Sequence, residues 1–499
     1  MDSLSALLLL FLVFLFLRQL RTRRRNLPPS PPSVPIIGHL HLLERPTHRN
    51  FQNIAAKYGP IFTLRFGSRL ALIVSSLQIA QECFTKNDLI FANRPRMLSG
   101  KYLGYDCTTM ATASYGDHWR NLRHLAAMEI FSSTRLNASL GIRKDEIRRL
   151  LVKLHSESFS KVELKSMFSE LSFNIVMRIV AGKRYYGEEV SDEAEAREFR
   201  ELMEEVSRHG GTTQWVDFMP ILKWIGFDGY EKSLAKSAIR ADRFVQELVE
   251  ERRNKKVLGR EEQSCLLHRL LELQLSEPEY YSDEIIKGIV LVLLRAGTDT
   301  SSVSLDWIMT QLLNHPEVLA KAKAEIDTKI GQDRSLQETD IANLSYLQAI
   351  ISETFRLHPP APMLLTHYSS HDCTVAGYNI PRGTMLLVNA WAIHRDPKLW
   401  DDPTTFRPER FLGAGNELQA NKLIPFGVGR RACPGETMGL RVIGLTLGLL
   451  IQCYEWKKVG YENVDMTEGG GITILKLKPL ETMCKARPIM DKVLCNGLD

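Results

Sequence analysis

The 499-residue sequence predicts a mainly α protein with a small β subdomain. Three observations carry that expectation. From about residue 76 to residue 350 the apolar residues recur at helical spacing. One stretch, residues 61–75, alternates apolar and polar residues as two strands joined at Gly67-Ser68 would. Two runs, within 285–313 and 440–450, are too apolar for surface helices and require a helical core to bury them.

Composition narrows the class. Apolar content of 44% and charged content of 24% are those of a globular chain. Of the net charge of +6, a net +4 lies in residues 1–25, which leaves +2 for the rest. A nearly neutral body with no basic stripe argues against nucleic acid as a partner. The eight cysteines are scattered without a Cys-x-x-Cys pair, which argues against a disulfide framework and for a reducing, cytosol-facing body.

The elements follow in order. Leu4 to Leu17 is almost wholly apolar and is followed by Arg18, Arg21, Arg23, Arg24 and Arg25. A cleaved signal peptide would carry its positive charge ahead of the run, so residues 1–25 are read as an uncleaved anchor with a cytosolic body. Residues 26–40 hold five prolines and are expected to form a stiff hinge before the body, residues 41–499. Trp119 and Arg123 are one helical turn apart, a spacing that suits a carboxylate clamp. Trp215 to Phe227 is rich in aromatics and reads as ordinary packing or as a lip that dips into a membrane.

Ser282 or Asp283 caps a long helix whose apolar middle contains Ala296, Gly297, Thr298, Asp299, Thr300 and Ser301. Hydroxyls that bond back to the helix could open a local groove; the alternative is a polar patch against another helix. Arg295 interrupts the apolar run four residues before Asp299 and is read as partly neutralising it. Glu353 and Arg356 share a helical face, a pairing that is commonly exposed and of little value alone.

Near the C-terminus, PFGVGRRACPG (Pro425–Gly435) places Cys433 among glycines and arginines, directly before an apolar helix. Helix-end N–H groups lower a cysteine's pKa. Gly427, Gly429 and Gly435 let backbone approach something large and flat. Arg430 and Arg431 offer charge to the carboxylates of a bound group. A single thiolate with cationic neighbours suggests an axial haem ligand; the bland alternative is an inert buried thiol.

Phe426, Gly429, Arg431, Cys433 and Gly435 match the signature Phe-x-x-Gly-x-Arg-x-Cys-x-Gly, so the chain resembles the cytochrome P-450 superfamily, in wording most similar to plant isoflavone B-ring hydroxylases. The resemblance implies the cytochrome P-450 fold, with haem b between the long central helix and the cysteine loop. It implies that Cys433 ligates the iron, and that Trp119, Arg123, Arg431 and His367 lie around the haem propionates. Thr300 becomes the proton-relay hydroxyl, with Asp299 its acidic neighbour. Ala296, Gly297, Met363, Leu364, Leu365, Ile472 and Thr473 are expected to face substrate. Glu353, Arg356 and Arg410 form a buried structural network.

The implied reaction uses O2 and electrons from NADPH. The chain lacks a nucleotide-binding glycine fingerprint, so the electrons would come through a separate FAD/FMN reductase, with Lys422 and Arg430 as candidates for its docking face. The substrate would be a hydrophobic plant metabolite, phenolic or flavonoid in type, hydroxylated by a monomeric catalytic unit at the endoplasmic reticulum membrane. Terpenoid hydroxylation, oxidative phenol coupling and methylenedioxy-bridge formation are rival outcomes of the same chemistry. A haem sensor or membrane scaffold without turnover would need neither Asp299-Thr300 nor an electron donor.

Overall fold

The computed structural model describes residues 26–156, 160–187, 193–210, 214–226, 229–257, 265–413 and 416–498; the expected anchor, residues 1–25, lies outside them. Five helices frame the site: α1 (Asp117–Leu125), α2 (Leu164–Ala181), α3 (Asp283–Asn314), α4 (Ser345–Leu357) and α5 (Glu436–Cys453). The serine expected as a cap is one: the Ser282 side chain accepts from the Ile285 N–H, and α3 runs unbroken for 32 residues. From Ser301 to Leu313 every α3 residue is buried. Leu305, Ile308 and Leu312 of α3 pack with Leu347 and Ile350 of α4 and Leu447 and Leu450 of α5. Each such side chain contributes about 1.5–3 kcal/mol when fully buried.

The β subdomain begins with the expected hairpin, β1 (Ile61–Phe66) and β2 (Arg69–Val74), paired antiparallel with Phe66 opposite Arg69. Two later strands, β3 (His367–Tyr368) and β4 (Thr384–Val388), complete a sheet of order β1-β2-β4-β3. β2 and β4 run parallel, and β3 joins β4 antiparallel with His367 opposite Leu386. A second sheet joins Lys161–Glu163, Glu481–Ala486 and Tyr454–Lys458.

The proline-rich segment is part of the body. The Pro29 carbonyl accepts from the Thr63 N–H at 2.8 Å, and the Pro28 carbonyl accepts from the Thr63 hydroxyl at 3.2 Å. Proline lacks an N–H but keeps its acceptor, so a proline run can still dock along an edge strand. The boundary expected at residue 40 therefore falls within packed structure.

Candidate active site

Cys433 lies in the loop that enters α5. Its N–H donates to the Phe426 carbonyl at 2.8 Å and closes the loop on itself. The N–H groups of Gly435 and Glu436 point at its sulfur, yet burial pushes the thiol upward in net effect. The expected lowering by the helix mouth is thus corrected: the crowded loop removes more solvation than two N–H groups return. Solvent still reaches Cys433, which is exposed.

Gly429 sets the seat of this loop. Its φ is +76°, and a Cβ there would lie 2.7 Å from Asp88 Oδ1 and 2.8 Å from the Phe84 carbonyl. Asp88 also takes the Arg430 side chain, at 2.9 Å. Arg430 therefore turns away from any group over Cys433, contrary to expectation, because a carboxylate of the protein reaches it first. Phe426 packs edge-on against Phe355 of α4, with ring centroids 5.3 Å apart.

Four basic groups gather on the same side as Cys433. Arg431 donates to the carbonyls of Ala92 (2.8 Å), Met110 (3.3 Å) and Ala113, and its guanidinium lies 4.3 Å from the Trp119 ring centroid. Burial, Arg94 and Arg123 together depress its pKa to about 9. Arg123, half-buried, makes no hydrogen bond among the described residues; burial lowers its pKa and Cys433 opposes that shift. His367 donates its Nδ1–H to the Phe91 carbonyl, 2.9 Å away, and is held neutral by burial and by Arg94 and Arg431.

The fourth group, Arg94, escaped the sequence reading. It donates to the carbonyls of Leu365 (2.9 Å) and Thr366 (2.8 Å), while its buried Nε has no partner. Burial lowers its pKa to about 10. Its signal in the sequence is an arginine just before Pro95, too common to single out. Among the described residues none of these four groups meets a carboxylate. The three guanidiniums, Arg94, Arg123 and Arg431, repel one another without an acid of their own among the described residues, which suits a ligand that brings its own negative charge. Trp119 does not complete a clamp with Arg123, because its N–H already donates to the Met110 carbonyl at 3.1 Å.

On α3 the Thr300 hydroxyl donates to the Ala296 carbonyl at 2.8 Å, and Ser304 donates to the Thr300 carbonyl at 2.7 Å. The hydroxyls thus bond back to a continuous helix rather than opening it. Gly297 is where α3 touches α2: a Cβ would lie 3.0 Å from Val176 Cγ2. Ala296 is exposed and Thr300 partly so. Ile472 and Thr473 are brought beside the 360–365 turn by the bond from the Ile474 N–H to the Pro360 carbonyl, at 3.0 Å. Within that turn Leu365 is exposed and Met363 and Leu364 are half-buried: Met363 packs against the Phe62 and Phe66 cluster, while Leu364 adopts φ +49° and packs against the Phe84 and Phe91 cluster. Leu364 therefore faces core rather than pocket.

The three-residue network is buried and complete. Arg356 donates to both Glu353 oxygens, at 2.7 and 2.8 Å, and Arg410 Nε lies 3.0 Å from Glu353. Arg356 also donates to the His394 carbonyl at 2.8 Å. The His394 ring then accepts from the Ile424 N–H at 3.0 Å, one residue before the cysteine loop begins. Burial, Arg395 and Arg356 depress the His394 pKa to about 3, which keeps that ring neutral and able to accept.

A family model described as cytochrome P-450 matches residues 28–484. The chain belongs to the cytochrome P-450 family. It is 55% identical to cytochrome P-450 81Q32 of Catharanthus roseus over 92% of the chain and 91% of that relative. It is 50% identical to an isoflavone 2'-hydroxylase of Glycyrrhiza echinata, over 92% of each. It is 49% identical to a (+)-piperitol/(+)-sesamin synthase of Sesamum radiatum, over 92% of the chain and 90% of the relative. A zebra fish cytochrome P-450 solved with abiraterone superposes with a TM-score of 0.74 at 25% identity, covering 88% of the chain and 99% of that structure. This cytochrome P-450 is a monooxygenase that uses haem b, O2 and electrons from a redox partner. The three guanidiniums of Arg94, Arg123 and Arg431 beside Cys433 fit haem b, whose two propionates carry the opposite charge; the neutral His367, its Nδ1–H already given to Phe91, adds none.

Proposed function

We propose that this cytochrome P-450 hydroxylates a hydrophobic aromatic plant metabolite, with Cys433 as the thiolate ligand of its haem. The observation that carries the reading is the set Arg94, Arg123 and Arg431 gathered around Cys433 without a carboxylate among the described residues, with the neutral His367 beside them. The three guanidiniums would hold the propionates and so orient the ring over the sulfur. Haem bound there supplies the activation of O2, which a thiolate ligand promotes.

The protein's own part is positional. Thr300 and Asp299 would hold and move protons on the distal side, and the Thr300 hydroxyl can exchange its bond to the Ala296 carbonyl for one to a ligand. Ala296, Gly297, Met363, Leu365, Ile472 and Thr473 would exclude water around the substrate. Glu353, Arg356 and Arg410 would keep the cysteine loop in place through His394.

The names of the relatives support an aromatic substrate, and they also favour a second outcome, because one of them is a sesamin synthase. Electrons would come from an NADPH-dependent flavoprotein reductase. Of its two candidate contacts, Arg430 is exposed beside the cysteine loop, whereas Lys422 spends its ammonium on the Leu399 carbonyl at 3.0 Å. At one corner Val34, Ile36, Trp215 and Ile221 are exposed. The Gly67-Ser68 turn ties their segments together through the Ile37 and Phe218 carbonyls. That apolar corner would rest on the endoplasmic reticulum membrane beside the anchor.

The test is product mass. Membranes with this protein, a plant reductase and NADPH would be given isoflavones and other phenolics. A gain of one oxygen that Cys433→Ala abolishes supports hydroxylation; loss of two hydrogens supports bridge formation; no product from any aromatic in the panel overturns the substrate class.

A further inference from the structure

Between Ile286 and Leu313 the buried helix α3 has one accessible stretch. At about 100° per residue, Val292, Leu293, Arg295, Ala296, Asp299 and Thr300 fall on one continuous arc, and solvent reaches all six. On the opposite arc Leu291, Leu294, Thr298 and Ser301 are buried. An accessible arc on a helix whose other faces are buried leaves room for a small molecule against it, and the role proposed above for Thr300 puts that arc on the distal side of the proposed haem site.

Arg295 stands in this arc with its charge unspent. Among the described residues its guanidinium makes no hydrogen bond and no ion pair. Burial lowers its pKa, and Asp299 and Tyr230 oppose that shift through space without reversing it. Its neighbours on the arc, Val292, Leu293 and Ala296, are apolar, and the one carboxylate there, Asp299 one turn on, acts on it only through space. A guanidinium carries five N–H donors in a rigid fork, and leaving donors unmade in such surroundings is costly.

We propose that Arg295 is a specificity-determining residue that binds a carboxylate on the aromatic substrate, an inference that rests on the distal-side reading above. A carboxylate matches the planar fork with two parallel hydrogen bonds and neutralises its charge. A phenol is neutral near pH 7 and would leave that charge unpaired. Five residues separate Arg295 from Thr300, about 7.5 Å along the axis, a span that a bicyclic aromatic acid bridges. The acid end is then held at Arg295 while the far ring edge is presented at Thr300.

The test uses the haem-loaded protein and two probes of one shape, naphthalene-2-carboxylate and its methyl ester, followed by the shift of the haem Soret band. The acid is expected to bind about tenfold tighter than the ester or better. Arg295→Leu removes that preference and Arg295→Lys keeps part of it. If Arg295→Leu fails to retain haem, Arg295→Gln serves for the same titration. Equal binding of the two probes, or an acid-to-ester ratio unchanged in the neutral variant, overturns the inference while the pocket reading stands. A neutral variant that keeps the ratio but uncouples NADPH use from product would assign the charge to Asp299 instead, which also overturns it. A Soret band unmoved by either probe overturns the pocket reading and the inference together.

Discussion

Single residues set the chemistry that this site can hold. Among the described residues Arg94 Nε is buried without a partner, and Arg123 and Arg431 add charge that no carboxylate balances. Removing one charge-assisted hydrogen bond costs about 1.5–3 kcal/mol. Arg94→Met should therefore weaken haem retention by about tenfold or more, measured as haem per protein after dilution. Thr300→Ala leaves haem in place but removes the distal hydroxyl. Product formation should fall by on the order of 10² while NADPH oxidation continues, read by comparing product with NADPH consumed. Arg94 was not legible in the sequence, because its meaning depends on the carbonyls of Leu365 and Thr366, some 270 residues away. The motif around Thr300 can be read from the sequence because it is contiguous.

Elements convert those residues into a fixed geometry. Glu353 on α4 holds Arg356 and Arg410 with all three side chains almost fully enclosed. Breaking a buried pair by removing one partner costs about 3–5 kcal/mol. Glu353→Ala should lower the melting temperature and release haem with the loosened cysteine loop, both followed in one thermal scan at the Soret band. The same linkage makes a pH prediction. The His394 pKa is depressed to about 3 in the fold, against about 6.5 when unfolded. The unfolded chain therefore takes up the proton first, and this contribution to stability is present above pH 6.5 and fades as pH falls towards 3. His394→Asn should flatten the acid limb of a plot of melting temperature against pH.

At the scale of the whole molecule, the exposed corner of Val34, Ile36, Trp215 and Ile221 adjoins the point where the chain enters the body. With residues 1–25 removed, the body should still bind lipid vesicles weakly, and Ile36→Asp together with Trp215→Asp should abolish that binding in a flotation assay.

The sequence by itself determined the mainly α architecture, the β1–β2 hairpin, the capped central helix and the cysteine loop, because each is written in local periodicity or in contiguous motifs. It also gave Glu353 and Arg356 as a pair, since they lie three residues apart on one helix. Tertiary structure alone decided which partner each long side chain meets. Arg430 turned to Asp88, Trp119 to Met110 and Leu364 to the core, while Arg94 met the Leu365 and Thr366 carbonyls and Arg295 on α3 met no hydrogen-bond partner among the described residues. Those outcomes depend on distances between segments tens to hundreds of residues apart, and a burial cost that only packing creates decides each of them.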